Sequence, residues 1–150
     1  MSVRTLHTAP LLRRTPDGEA VPGHAVLVGG DRVEAVGPLA ELIEAYAGVR
    51  VRRWPGTLGP GLTHDGPLPM APTPRERVHA LLRHGVTTVL AEHLTDPVLR
   101  AAVDRSDLLV LSAPVPPHLH PGGRADLAVH DADGTCLVTV AAGRIVHRRA

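Results

Sequence analysis

Residues Thr73–Leu111, TPRERVHALLRHGVTTVLAEHLTDPVLRAAVDRSDLLVL, decide the fold class. Thr73-Pro74-Arg75-Glu76 is a capping box with proline at the first helical position, and Val78, Leu81 and Leu82 make the apolar stripe behind it. His84-Gly85 closes that helix. Val86–Ala91 is a short β-branched and apolar run, the pattern of a strand covered on both faces. Asp96-Pro97 then opens a second helix carrying Val98, Leu99, Ala102 and Val103, and Leu108–Leu111 is a second buried strand. Helix, strand, helix, strand at this spacing predicts parallel strands joined by right-handed crossovers.

The flanks follow a different pattern. On the N-terminal side His24–Val28 and Arg32–Val36 enclose Gly29-Gly30-Asp31, a hairpin signal. Arg32 and Glu34 alternate with Val33 and Ala35, as in a sheet wet on one face. Gly37-Pro38 opens a helix whose Leu39, Leu42, Ile43 and Tyr46 form one stripe, and Val49–Arg52 alternates as another strand. On the C-terminal side Leu127–His130, Leu137–Ala141 and Arg144–Arg148 are separated by Asp133-Gly134 and Ala142-Gly143 turns. Between flank and centre, Pro55–Pro74 holds six prolines, which predicts a stiff linker or surface loop, not a sheet interior. Pro114–Pro121 is a second proline-rich loop.

The expected architecture is α+β in one compact domain of residues 1–150. A composite antiparallel β-sandwich is built from both chain ends, residues 1–57 and 124–150. Residues 58–123 form a short parallel βα insert.

Composition removes several function classes. All 16 basic side chains are arginine, so no lysine is available for a Schiff base, a carboxylated-lysine metal bridge or a P-loop. Tyr46 and Trp54 are the only Phe, Tyr or Trp residues, too few for stacking on single-stranded nucleic acid. A net charge of +1 supplies no field for nucleic acid or anionic lipid. No apolar run reaches the ~18 residues of a membrane span, and Met1–Arg14 lacks the apolar stretch of a signal peptide. A single cysteine, Cys136, fits a reducing cytoplasm. Ser2, Ser106 and Ser112 lack the strand-turn-helix setting of a nucleophile elbow.

Five segments, in order, resemble the amidohydrolase superfamily, in its imidazolonepropionase-like and aminofutalosine-deaminase-like branches. AVLVGGDRVEAVG (Ala25–Gly37) resembles the first hairpin of that family's composite sandwich. GTLGPGL (Gly56–Leu62) resembles the lead-in to its first barrel strand, and LLRHGVTTV (Leu81–Val89) the first barrel helix and second strand. PGGRADLAVHD (Pro121–Asp131) and VAAGRIVHRR (Val140–Arg149) resemble the return into the sandwich. The resemblance implies a metal-dependent (β/α)8 barrel and hydrolysis of non-peptide C–N bonds. A full barrel needs at least ~200 residues. Only about sixty lie between Gly61 and Arg124, so the insert is a remnant. The family's paired metal histidines fall, on this resemblance, at Gly66 and Leu68.

Candidate metal ligands are therefore sought elsewhere. His118 and His120, at i,i+2 spacing in an extended proline-rich loop, place both imidazoles on one side. His64 and Asp65 are adjacent in the first proline-rich segment, where a loop could let them converge, and His93 lies just beyond the second buried strand, where barrel enzymes place function. Each has a plainer reading as a solvated loop residue. Arg50, Arg52, Arg53, Arg148 and Arg149 read as solvated strand faces, with a weak anion site as the alternative. The leading expectation is a reduced, non-catalytic descendant without a cofactor that binds a partner or small ligand. The alternative is a miniature zinc or iron hydrolase acting on a cyclic amidine or purine-like amine, its site rebuilt from His64, His118, His120 and His93. A gene fragment unable to fold alone is the third reading. Because the remnant strands lack most of a barrel around them, a homodimer or protein partner is expected on their exposed face.

Overall fold

The computed structural model describes residues 3–149; Met1, Ser2 and Ala150, and the expectations that touch them, lie outside the described residues. Strands β1 (Arg4–Thr8), β2 (Leu11–Leu12), β3 (Val21–Pro22), β4 (His24–Gly29) and β5 (Arg32–Pro38) lead to helix α1 (Leu39–Ala45). Then come β6 (Arg50–Arg53), β7 (Thr57–Pro60), β8 (Leu62–His64), α2 (Pro74–Leu82), β9 (Val86–Leu90), α3 (Pro97–Asp104) and β10 (Leu109–Leu111). The chain closes with β11 (Leu127–His130), β12 (Cys136–Ala141) and β13 (Arg144–Arg148).

Three sheets result. One has the order β5-β4-β1-β6, and a six-stranded one runs β13-β12-β11-β7-β2-β3. The latter is composite: β2, β3 and β7 come from the N-terminal side and β11–β13 from the C-terminal side. Both sheets are antiparallel except for the β1–β6 and β2–β7 pairs, which are parallel. Val26, Val28 and Val33 of the first sheet meet Leu58, Leu127, Val129, Val138 and Val140 of the second in one core. The third sheet, β10-β9-β8, is parallel throughout, as the helix–strand alternation predicts.

The N-cap bond of the box is formed: the Glu76 N–H donates to Thr73 Oγ1 at 3.2 Å, and Val78, Leu81 and Leu82 are buried. Asp96 caps α3 in the same way through the Val98 N–H at 2.9 Å. Leu99 and Val103 face the core, whereas Val98 is 64% exposed, because only the i,i+4 pair falls on the sheet-facing stripe. In α1 the stripe is likewise narrower than expected. Leu42 is buried against Leu6, Ala25 and Leu27, while Ile43 points to solvent. Helix α1 thereby covers the outer face of the first sheet, so β4 is buried on both sides.

The largest correction concerns Pro55–Pro74. Its first part is a sheet interior: β7 lies between β11 and β2, and Leu58 is fully buried. The Gly61 N–H donates to the Asp126 carbonyl on the β11 side, so the Pro60 nitrogen, one residue earlier, faces the β2 side. Strand β2 stops pairing at Leu12↔Leu58, so no ladder bond is lost there. Later in the segment Leu68 is 2% exposed and packs with α2 and α3, and Arg77 donates to the carbonyls of Leu68 and Pro69. The sandwich thus extends past residue 57, and Gly61 marks the crossing into the insert.

The remnant sheet is also not bare. All five residues of β9 are buried. Helices α2 and α3 cover one face. The other is roofed by the Pro114–His120 loop, whose Leu119 inserts into the sandwich core at 2% exposure and whose N–H donates to the Arg14 carbonyl. Insert and sandwich are joined at the far end by Thr139, whose hydroxyl donates to the Leu82 carbonyl at 2.6 Å.

Not all the arginines are free strand faces. Arg52 and Arg148 lie over the buried Trp54 ring at 5.8 and 5.1 Å. Trp54 Nε1–H donates to His7 Nδ1 at 3.1 Å, which holds His7 as a neutral acceptor with its proton on Nε2. Burial first, and Arg52 second, lower the His7 pKa to about 4. The unfolded chain therefore binds a proton that the folded chain refuses between pH 6.5 and 4. The contribution is fully present above the ordinary histidine pKa and is lost as pH falls toward 4, about 3 kcal/mol at the full shift. His147, lowered mainly by its burial, acts in the same direction. Asp126, raised by burial, acts in the opposite one at more acid pH. Thermal melts of His7→Gln should lose most of the wild-type fall in Tm between pH 7 and pH 4.5; an unchanged fall would remove His7 from the account.

Candidate functional site

Parallel pairing brings the C-terminal ends of β8, β9 and β10 to one side of the insert, the side on which strand-end loops carry chemistry in α/β folds. Three segments leave the sheet there: His64–Leu68 after β8, the single 3-10 turn Ala91–His93 after β9, and the long loop after β10.

Asp65 and His93 meet across the first two exits. His93 Nε2 is 3.0 Å from Asp65 Oδ1 and 3.5 Å from Glu92 Oε1. Asp65, Glu92 and His93 are the one group of three or more potential metal donors among the described residues. Both carboxylates are more than half exposed, and His93 is about a quarter exposed.

His64 is committed elsewhere. Its Nε2–H donates to the Pro67 carbonyl at 2.9 Å, closing the turn that Asp65-Gly66 begins. His118 and His120 do share one side of their loop, with ring centroids 5.3 Å apart, because the buried Leu119 between them points the other way. His120 Nδ1–H donates to the Pro121 carbonyl at 3.1 Å. These two rings border a cavity of about 160 Å³ between the loop and the inner face of the sheet, where Thr63, Thr88 and Leu111 line it. The four histidines thus occupy three separate places.

Below that cavity lies an ion pair that sequence reasoning missed. Arg124 Nη1 and Asp126 Oδ2 are 3.3 Å apart, both largely buried. Asp126 Oδ1 also accepts the Ala142 N–H at 2.9 Å, and Arg124 donates to the Asp107 carbonyl. Burial raises the Asp126 pKa, against the Ala142 N–H and the Arg124 charge. The pair ties β11, the β12–β13 turn and the end of α3 together. Its i,i+2 spacing was the only sequence signal, and many exposed pairs share it.

A metal-dependent hydrolase site needs about three fixed ligands and an open position for water. The donors here fit that requirement poorly. Gly66 offers no side-chain donor, and Leu68 is packed into the α2–α3 core. The Asp65–Glu92–His93 group supplies one imidazole and two exposed carboxylates, two of the three from adjacent residues. Cys136 is buried, and its burial pushes the thiol pKa up, so it is no nucleophile.

No family model and no curated protein matches this chain. Solved structures do. Helicobacter pylori aminofutalosine deaminase aligns over 72% of this chain and 32% of its own, with TM-score 0.55 and 14% identity. An adenosine deaminase from Xanthomonas campestris, solved with zinc bound, aligns over 73% and 33%, with TM-score 0.53 and 19% identity. Guanine deaminase from Bradyrhizobium japonicum aligns over 73% and 34%, with TM-score 0.53 and 15% identity. The chain spans about a third of the length of these structures, and the likeness at this identity is one of fold.

Proposed function

We propose, from the fold this chain shares with amidohydrolase-superfamily deaminases and hydrolases, that it is a reduced domain of that kind, non-catalytic, which acts by binding. The observation that carries the reading is Leu68. On the family's pattern a metal histidine belongs there, and here the side chain is 2% exposed among Val78, Leu81 and Leu99. A position used for the core cannot also hold a metal without unpacking the insert. Gly66 leaves the partner position empty of ligating atoms. The inner face, which a barrel would enclose, is filled by the proline-rich loop.

A partner or second copy is then to be sought at the free edges of β8 and β10, where backbone groups lack a neighbouring strand, and not on the covered face. A second reading is kept by one observation, the convergence of Asp65, Glu92 and His93 at the strand ends. In that reading the chain is a small zinc or iron hydrolase of C–N bonds.

Melting the chain with and without zinc separates the two. A ligand at 100 times its Kd stabilises by about 2.7 kcal/mol, several degrees for a domain of this size. The Tm should stay within a degree in 100 μM zinc. A rise of several degrees that Asp65→Asn and His93→Gln each abolish would favour the hydrolase.

A further inference from the structure

On the opposite side of α2 and α3 from the inner cavity, the helices meet β13 in an open cleft of about 530 Å³. Val78 and Leu82 of α2, both nearly buried, lie at its base with Ala102 of α3, and the apolar surface it exposes comes chiefly from Ile145 of β13, next to Val146. Its rim is basic. Arg75 stands in the first turn of α2 with His79 one turn on, Arg105 follows the end of α3, and Arg144 begins β13.

The charges there are unbalanced. Asp107 is the one acid lining the cleft, and Arg144 already lies 3.4 Å from it. Arg75 and Arg105 have no carboxylate within ion-pair distance among the described residues. Three arginines against one aspartate leave a formal charge of +2 in the cleft. His79, Arg83 and Arg149 lie close enough to His147, beside the cleft, to help lower its pKa, so positive charge continues along this face. Helix-dipole compensation accounts for Arg105, at the C-terminal end of α3, but not for Arg75, which stands at the N-terminal end of α2, where a cation is disfavoured.

We infer that this cleft binds a small organic anion, an apolar body bearing a carboxylate, sulfonate or phosphate, with the body against Ile145 and Val146 and the charge drawn by the cleft's arginines, Arg75 and Arg105 among them. The volume lies within the range of small-molecule sites. This deepens the reading of the chain as a binding domain and rests on it, but at a place that involves none of the candidate metal donors.

The test uses two fluorescent probes on the full chain: 1-anilinonaphthalene-8-sulfonate and its uncharged parent, N-phenyl-1-naphthylamine. The anionic probe should bind saturably at one site, and the neutral one at least tenfold more weakly. Arg75→Gln with Arg105→Gln should weaken the anionic probe at least tenfold while leaving the neutral probe and the Tm unchanged, since both arginines are exposed. Equal affinity for the two probes, no saturable binding, or an unchanged affinity in the double variant would each overturn the inference. So would a dimer in light scattering that dissociates as probe is added, because a second copy would then be the occupant. EDTA should change none of these results. A zinc-dependent Tm with intact probe binding would overturn the non-catalytic reading alone, and lost probe binding without a zinc effect would overturn the cleft alone.

Discussion

Val89→Asp should leave no folded protein. Val89 has no exposed area, pairs across both neighbours as His64↔Val89 and Val110↔Val89, and sits in the cluster formed with α2 and α3. The leucines and valines packed around it offer a carboxylate no cationic partner, and burying an unpaired charge costs several kcal/mol beyond the lost packing of the valine. A domain of this size is stable by about 5–15 kcal/mol, and this core contains no Phe to raise that figure. Circular dichroism should show no cooperative melt. Arg53→Asp, on an exposed edge position, is the matched control and should melt within about a degree of wild type. Arg52 would be a poor control because it stacks on Trp54. A folded Val89→Asp protein with a wild-type Tm would show that the insert does not form as described.

Removing residues 127–150 should abolish folding of the N-terminal part as well. The deletion takes away β11, which pairs with β7 from Leu127↔Pro60 to His130↔Thr57, and with it β12 and β13. Leu127, Val129, Val138 and Val140 leave the inter-sheet core, each worth roughly 1.5–3 kcal/mol of burial. The sum reaches the whole stability of an ordinary domain. The insert would also lose the Thr139 bond to Leu82 and the Asp126 bond to the Ala142 N–H. The truncated chain should express insolubly or give a broad, non-cooperative transition. A sharp two-state melt would mean that the N-terminal strands close a core without the C-terminal ones.

Much of this architecture is legible in the residues, for local reasons. The Thr73 and Asp96 caps, the Gly30 turn between β4 and β5, and the β-branched run of β9 are each determined by a few neighbouring side chains. Gly30 takes φ +60°, as the hairpin requires. Strand β7 was hidden because proline counting ignores which side a missing N–H faces. Pro60 is tolerated only because β2 is two residues long, a fact of another segment. The resemblance of Gly56–Leu62 to a barrel lead-in pointed the right way where composition did not.

The candidate site was legible only in part. Strand-end position singled out His93, and Asp65 entered only as the neighbour of His64; their 3.0 Å contact depends on the β8–β9 register. The roof over β9 was missed for a similar reason. The proline-rich loop looks solvated residue by residue, and Leu119 anchors it through contacts with Leu12 and Val33 of distant strands that no local pattern records. The expectation of a bare face came from that omission.

The most direct test of the central claim is the metal content of the full chain purified without added metal, by elemental analysis. With Gly66 and Leu68 where the resemblance to amidohydrolases would put histidines, well under one equivalent of zinc and iron together is expected. One equivalent retained through gel filtration, and lost in His93→Gln or His118→Gln, would contradict it.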